Sequence, residues 1–186
     1  MLRDNFTKLL HALIALGVSG NLIISLFMVP AELGVKGDAS YLVHQWTGLG
    51  LFATLLAYWL WKFAGNLPQG WRYFFPWFSK AAYSAIWFEL RVLLRLRLRE
   101  VPESGVLSGA IHGLGLLTAS VMAATGSVQY LLLERYFVSS SLFELSKAIH
   151  ELFATLMWAY LIGHVVMAAM HHALGHKSIA AMFSSN

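Results

Sequence analysis

The chain has 186 residues, of which 58% are hydrophobic and 12% charged, and its mean hydropathy is +0.63. A soluble domain carries about 25% charged residues, so half the usual charge is left to cover the surface, and both an ordinary water-soluble domain and a disordered chain are excluded. Cysteine is absent, which removes disulfides, iron–sulfur ligation, thioether-linked cofactors, thiolate nucleophiles and Cys-containing zinc sites.

In chain order, four windows lack Asp, Glu, Lys and Arg: 9–31, 39–61, 104–133 and 152–176. A spanning helix needs about 20 mostly apolar residues at 1.5 Å each. Each window is long enough, and the spacing predicts membrane helices over about 8–30, 41–62, 105–132 and 147–174. The first has the basic start and apolar run of a signal peptide, but the run exceeds the usual h-region and no A-x-A site follows, so a retained helix is expected. The expected fold is an all-α, integral-membrane four-helix bundle forming a single domain over 1–186.

Between the second and third windows, Gly65, Pro68 and Gly70 break the pattern, and the aromatic run WRYFFPWF at 71–78 suits the headgroup level. Residues 79–99 read as a helix lying on the membrane surface, within an amphipathic segment of about 71–100. Arg91, Arg95 and Arg99 repeat at i+4, with Trp87, Leu94 and Leu98 turned to lipid. The ordinary role of such a helix is an interfacial anchor attracted to anionic lipid; a sharper one is a partner-docking surface or a gate for a quinone headgroup. RLRLR at 95–99 also alternates like a strand, but an isolated strand there would leave unpaired edges.

Orientation follows from Lys and Arg. With the N-terminus in the cytoplasm, ten of these residues fall on the cytoplasmic side, Arg3, Lys8 and Lys177 among them, and three (Lys36, Arg135, Lys147) on the other. By the positive-inside rule both termini are cytoplasmic and the interfacial helix faces the cytoplasm. The same asymmetry accounts for the net charge of +4 without a nucleic-acid partner. The expected location is a bacterial inner membrane, crossed several times.

Eight histidines in so apolar a chain stand out, because ionisable groups in a bilayer are costly and mark function by default. His150 and His164 are fourteen residues apart, which at 100° per residue falls within about 40° of four whole turns and separates them by about 21 Å. One face of the last helix therefore presents two imidazoles, one near each leaflet. His44 shares the depth of His150, and His11 that of His164, giving the pairs His44–His150 and His11–His164. A single membrane histidine is ordinarily bonded to a neighbouring helix. Two matched pairs instead suit the axial positions of haem iron, which takes neutral imidazole on both sides, whereas structural zinc needs four ligands on one point. Gly17, Gly20, Gly48, Gly50, Gly113 and Gly115 permit close approach of either a ring or another helix. Depth alone does not separate His112 from His11. His172 and His176, in HHALGH, stand at i,i+4 and fit a solvated terminus better than a metal site; Asn21 and Gln129 fit helix–helix hydrogen bonds.

The stretches KLLHALIAL (8–16), VHQWTGLGLF (43–52), IHGLGLL (111–117) and KAIHELFATLMWAYLIGHV (147–165) resemble the bacterial cytochrome b561 family and the related b-type subunits of hydrogenases and formate dehydrogenases. The resemblance spans all four windows, and the His150–His164 spacing is its most specific part. It implies two b haems ligated by His11, His44, His150 and His164, moving electrons between membrane quinone and a redox partner such as a periplasmic cytochrome or dehydrogenase in a respiratory chain. His112 then either replaces His11 as the partner of His164 or contacts a haem propionate or a quinone carbonyl. A His-lined proton or metal transporter is the competing class, weakened by the absence of an inverted repeat. A membrane anchor subunit of a larger oxidoreductase is compatible with electron transfer.

Overall fold

The computed structural model describes residues 2–31, 36–64, 71–95, 105–135 and 141–173. Among these, six α-helices form: α1 (Leu2–Ile24), α2 (Ala39–Phe63), α3 (Trp71–Phe74), α4 (Lys80–Leu94), α5 (Val106–Arg135) and α6 (Ser141–Ala173), with a 3-10 turn at Pro76–Phe78 between α3 and α4. No strand occurs among the described residues, and the alternating RLRLR lies, beyond Arg95, outside them.

Local chemistry explains the boundaries. α1 ends six residues before the predicted limit. Leu26 and Phe27 bond back to Ile23 and Ile24 in tightened turns, and Ser25 Oγ donates to Leu22 O at 2.7 Å. Pro30 then follows, unable to supply an N–H to continue the helix. Asp38 caps α2 by accepting from Tyr41 N–H at 2.8 Å. Pro76 enters the first position of the 3-10 turn, and Ser79 caps α4. The interfacial helix expected over 79–99 is thus Lys80–Leu94, while Arg97, Leu98 and Arg99 lie outside the described residues.

Three helical stretches are long and apolar enough to cross a membrane: Asn5–Ile24, Val106–Leu133 and Ser141–Ala173. α2, with 25 residues, has the length but not the hydropathy, because His44, Gln45, Trp46, Tyr58, Trp59, Trp61 and Lys62 all count as polar or weakly apolar on such a scale. Large exposed apolar side chains such as Leu13, Leu16, Leu60, Leu152 and Val165 are what lipid-facing surfaces require, since no water has to be excluded there.

Two compact units divide the chain, 1–65 with 118–161 and 66–117 with 162–186, so α5 and α6 contribute to both. In the first unit, α1 and α2 pack closely against one another. Leu10, Val18, Leu22, Leu55 and Met157 are buried there. Gly17 admits Leu51, whose Cδ1 would lie 3.1 Å from a Cβ at that position. Buried Asn21 accepts a short hydrogen bond from Thr47 Oγ1, joining α1 to α2. Trp61 Nε1 donates to Thr7 Oγ1 at 3.2 Å, and Trp59 Nε1 to Ser120 Oγ at 3.0 Å. These half-buried indoles keep their polar tips satisfied.

In the second unit α3 and α4 meet the start of α5. One face of α4 is buried at Glu89 and the other exposes Lys80, Tyr83, Ser84, Trp87 and Arg91. The Arg91 guanidinium lies 5.2 Å from the Trp87 ring centroid, a cation–π pair at the surface.

Candidate functional site

The helices bring two pairs of histidines together. In the first unit, His44 on α2 and His150 on α6 face one another with ring centroids 6.3 Å apart and planes at 79°. Both rings are half-buried. His150 is held from behind: its Nδ1 lies 3.0 Å from Met122 O and 3.0 Å from Thr125 Oγ1. Thr125 Oγ1 in turn donates to Val121 O at 2.8 Å, so its lone pairs are turned outward and Nδ1 carries the proton as donor. That leaves Nε2 with its lone pair free to bind an ion, the arrangement that orients ligating imidazoles. Gly126 makes room for the ring, as a Cβ there would stand 3.2 Å from His150 Cε1. For His44, the Asn21 backbone lies alongside the ring, yet Nδ1 is buried without a hydrogen-bond partner.

In the second unit, His112 on α5 and His164 on α6 meet at 5.3 Å with planes at 85°. His112 Nδ1 lies 2.7 Å from Ser108 O, one turn earlier, and 3.5 Å from Ser108 Oγ. The same logic assigns the Nδ1 proton to the carbonyl and leaves Nε2 as the available base. His11 is half-buried on α1 of the first unit, next to buried Leu10, whereas His164 belongs to the second unit.

Other histidines play no part in these pairs. His171 and His172 fall in the last turn of α6, and His176 lies outside the described residues, as does therefore its i,i+4 relation to His172. Among the described residues no group of three or more His, Asp or Glu converges as a metal site. Asn21 and Gln129 bond between helices, Asn21 with Thr47 and Gln129 Nε2 with Ser146 O at 3.4 Å.

The His44–His150 pair fits a planar metal macrocycle. With metal–nitrogen distances of about 2 Å, two imidazoles on opposite sides of one ion stand about 6 Å apart between centroids, near the 6.3 Å observed. A Cβ on Gly20 or on Gly50 would meet nothing within 4 Å. The spacing of the two rings and the open Nε2 of His150 therefore suit an ion held between the two imidazoles.

Long apolar helices that set histidines face to face define a membrane protein built to hold haem. The chain belongs to the prokaryotic cytochrome b561 family, whose sequence model matches residues 2–185. No curated protein and no solved structure gives a significant match. Membership carries with it membrane electron transfer through haem b.

Several supporting residues escape a reading of the sequence. Thr125, Gly126 and the Met122 carbonyl support His150 from a different helix, and nothing in their spacing points to it. Glu89 reads as one charge on an amphipathic helix, yet it is buried. Gly105, Gly109 and Gly113 stand at i, i+4 and i+8, and that spacing is the one signal that could have marked their close contact.

Proposed function

We propose that this chain is a four-helix cytochrome of a bacterial inner membrane, a single module with both termini cytoplasmic, that passes electrons across the bilayer between membrane quinone and a redox partner through two bis-histidine b haems. The observation that carries the reading is the facing of His44 and His150 at 6.3 Å, with His150 Nδ1 tied to Met122 O. Haem b supplies the one-electron chemistry when bound. The chain supplies position and environment. His150 presents Nε2 in a single tautomer because Met122 and Thr125 hold the opposite nitrogen. α6 spaces His150 and His164 by fourteen residues on one face, about 21 Å along the helix axis, so one helix serves both leaflets. Exposed leucines and valines keep the surrounding surface in lipid, which excludes water from the path. A haem held between two imidazoles would suit electron transfer rather than oxygen binding.

For the second haem, the family resemblance supports His11 and His164 as ligands. A second reading, in which His112 takes the place of His11, is favoured by the 5.3 Å contact of His112 with His164 and by the bond of its Nδ1 to Ser108 O. In the first reading His112 faces a propionate or the quinone. The exposed Lys80, Arg91 and Trp87 face of α4 supports docking on anionic headgroups at the cytoplasmic surface.

The test is a reduced-minus-oxidised spectrum of the purified protein with haem-to-protein stoichiometry. A b-type spectrum and a ratio near two are expected; no b-type absorption after haem-sufficient expression would reject the proposal. Alanine variants of His11 and His112 then separate the two readings, because the true ligand yields a high-spin signal or loses the haem.

A further inference from the structure

The segment 71–94 does more than lie on a surface: within the second unit it grips the first turns of α5. Glu89, 8% exposed, accepts from Val106 N–H through Oε1 at 3.2 Å and from Leu107 N–H through Oε2 at 2.9 Å. These are two of the four N–H groups that the start of a helix leaves without an internal partner. The carboxylate also sits at the positive end of the helix dipole. The cap is contributed by another helix, α4.

The glycine stripe completes the grip. A Cβ on Gly105 would collide with the Glu89 carboxylate, one on Gly109 with the Tyr73 carbonyl, and one on Gly113 with the Phe74 carbonyl. Gly105, just before α5, and Gly109 and Gly113 on its first turns are therefore closed over by Glu89 and α3. Any larger residue at these positions would push the segment away. The same turns carry Ser108 and His112, whose ring is bonded to the Ser108 carbonyl and meets His164.

We infer that Glu89 is a positioning residue for His112: by capping α5 it fixes the register at which Ser108 and His112 are presented to His164. The inference rests on reading His164 as a haem ligand. Helix ends fray when their donors lose partners, and the first turn of α5, which includes the carbonyl that holds the His112 ring, is the turn Glu89 anchors.

The experiment uses the full chain in lipid nanodiscs, comparing wild type with Glu89→Ala, Glu89→Gln and Gly113→Ala, and with His164→Ala as reference. Hydrogen exchange over 105–112 reports the grip, and haem content, redox titration and low-spin EPR report the haems. In Glu89→Ala, amide protection at the start of α5 should fall about tenfold, in line with the loss of a helix cap. The potential and EPR signal of the haem lost in His164→Ala should move, while the other haem stays unchanged. Glu89→Gln, which keeps one acceptor oxygen, should restore most of the protection and of the signal. Gly113→Ala, which displaces the segment by another route, should move the same haem, and it decides the matter if Glu89→Ala fails to accumulate. Unchanged protection in Glu89→Ala would refute the grip. Lost protection with neither haem moved, or with both moved equally, would refute the positioning of His112. If His164→Ala keeps both haems with wild-type signals, the functional reading has failed, and the exchange data still judge the grip.

Discussion

Replacing His150 by alanine should remove one haem and leave the other in place. The ring it deletes stands 6.3 Å from His44 and is pinned at Nδ1 by Met122 O and Thr125 Oγ1, each at 3.0 Å. His44 would then be the one imidazole remaining at that level. His164 lies fourteen residues on, about 21 Å away along α6, so its site is untouched. Loss of an outer-sphere partner costs a metal site about 10–100-fold in affinity, and loss of the ligand itself costs more, about 1000-fold at least. A haem present at 1000 times its dissociation constant adds about 4 kcal/mol to stability; after a 1000-fold loss its site is at most about half filled. The haem-to-protein ratio should therefore fall from about two to between about one and one and a half, with one low-spin signal gone. His44→Ala should give the same result. The assay is haem extraction against protein mass, with EPR on the same sample. A ratio still at two with both low-spin signals intact in either variant would refute the assignment.

Gly126→Ala should keep both haems but alter one EPR signal, since the added methyl stands 3.2 Å from His150 Cε1 and turns the ring; an identical spectrum would show that the ring has room there. Thr125→Val should leave Met122 O as the remaining acceptor for His150 Nδ1, weakening that haem's affinity by about tenfold, measured by haem loss to a scavenger protein. Asn21→Ala removes the partner of Thr47 Oγ1 between α1 and α2 and should cost about 0.6 kcal/mol, the average for hydrogen bonds between membrane helices, and at most about 1.7 kcal/mol, in unfolding from mixed micelles; a loss within error would show that Thr47, which also donates to Val43 O, is satisfied locally. Reporter fusions at residues 1 and 186 should both read cytoplasmic, given ten Lys and Arg against three.

By itself the sequence determined the class of protein, because that rests on quantities summed over the chain. Charge-free windows of 23 residues or more follow from the cost of burying charge in lipid, and they mark the long helices whatever those helices pack against. The fourteen-residue interval between His150 and His164 is likewise a property of one helix, fixed by 3.6 residues per turn. The family followed from the same residues. Boundaries were less legible: α1 stops at Ile24 rather than near residue 30, because the tightened bonds after Ile23 depend on where the chain must turn. The apolarity of α2 was also overstated by counting charges alone, as its His44, Gln45 and tryptophans carry no formal charge yet lower its hydropathy. Tertiary structure alone decided who meets whom. Depth places His11 and His112 at one level, but facing depends on the rotation of each helix about its axis, which packing sets. That rotation brings His112 against His164 and turns Thr125 and the Met122 carbonyl toward His150. It also buries Glu89 on the first turn of α5, a contact between residues seventeen and eighteen positions apart that no helical period could have announced.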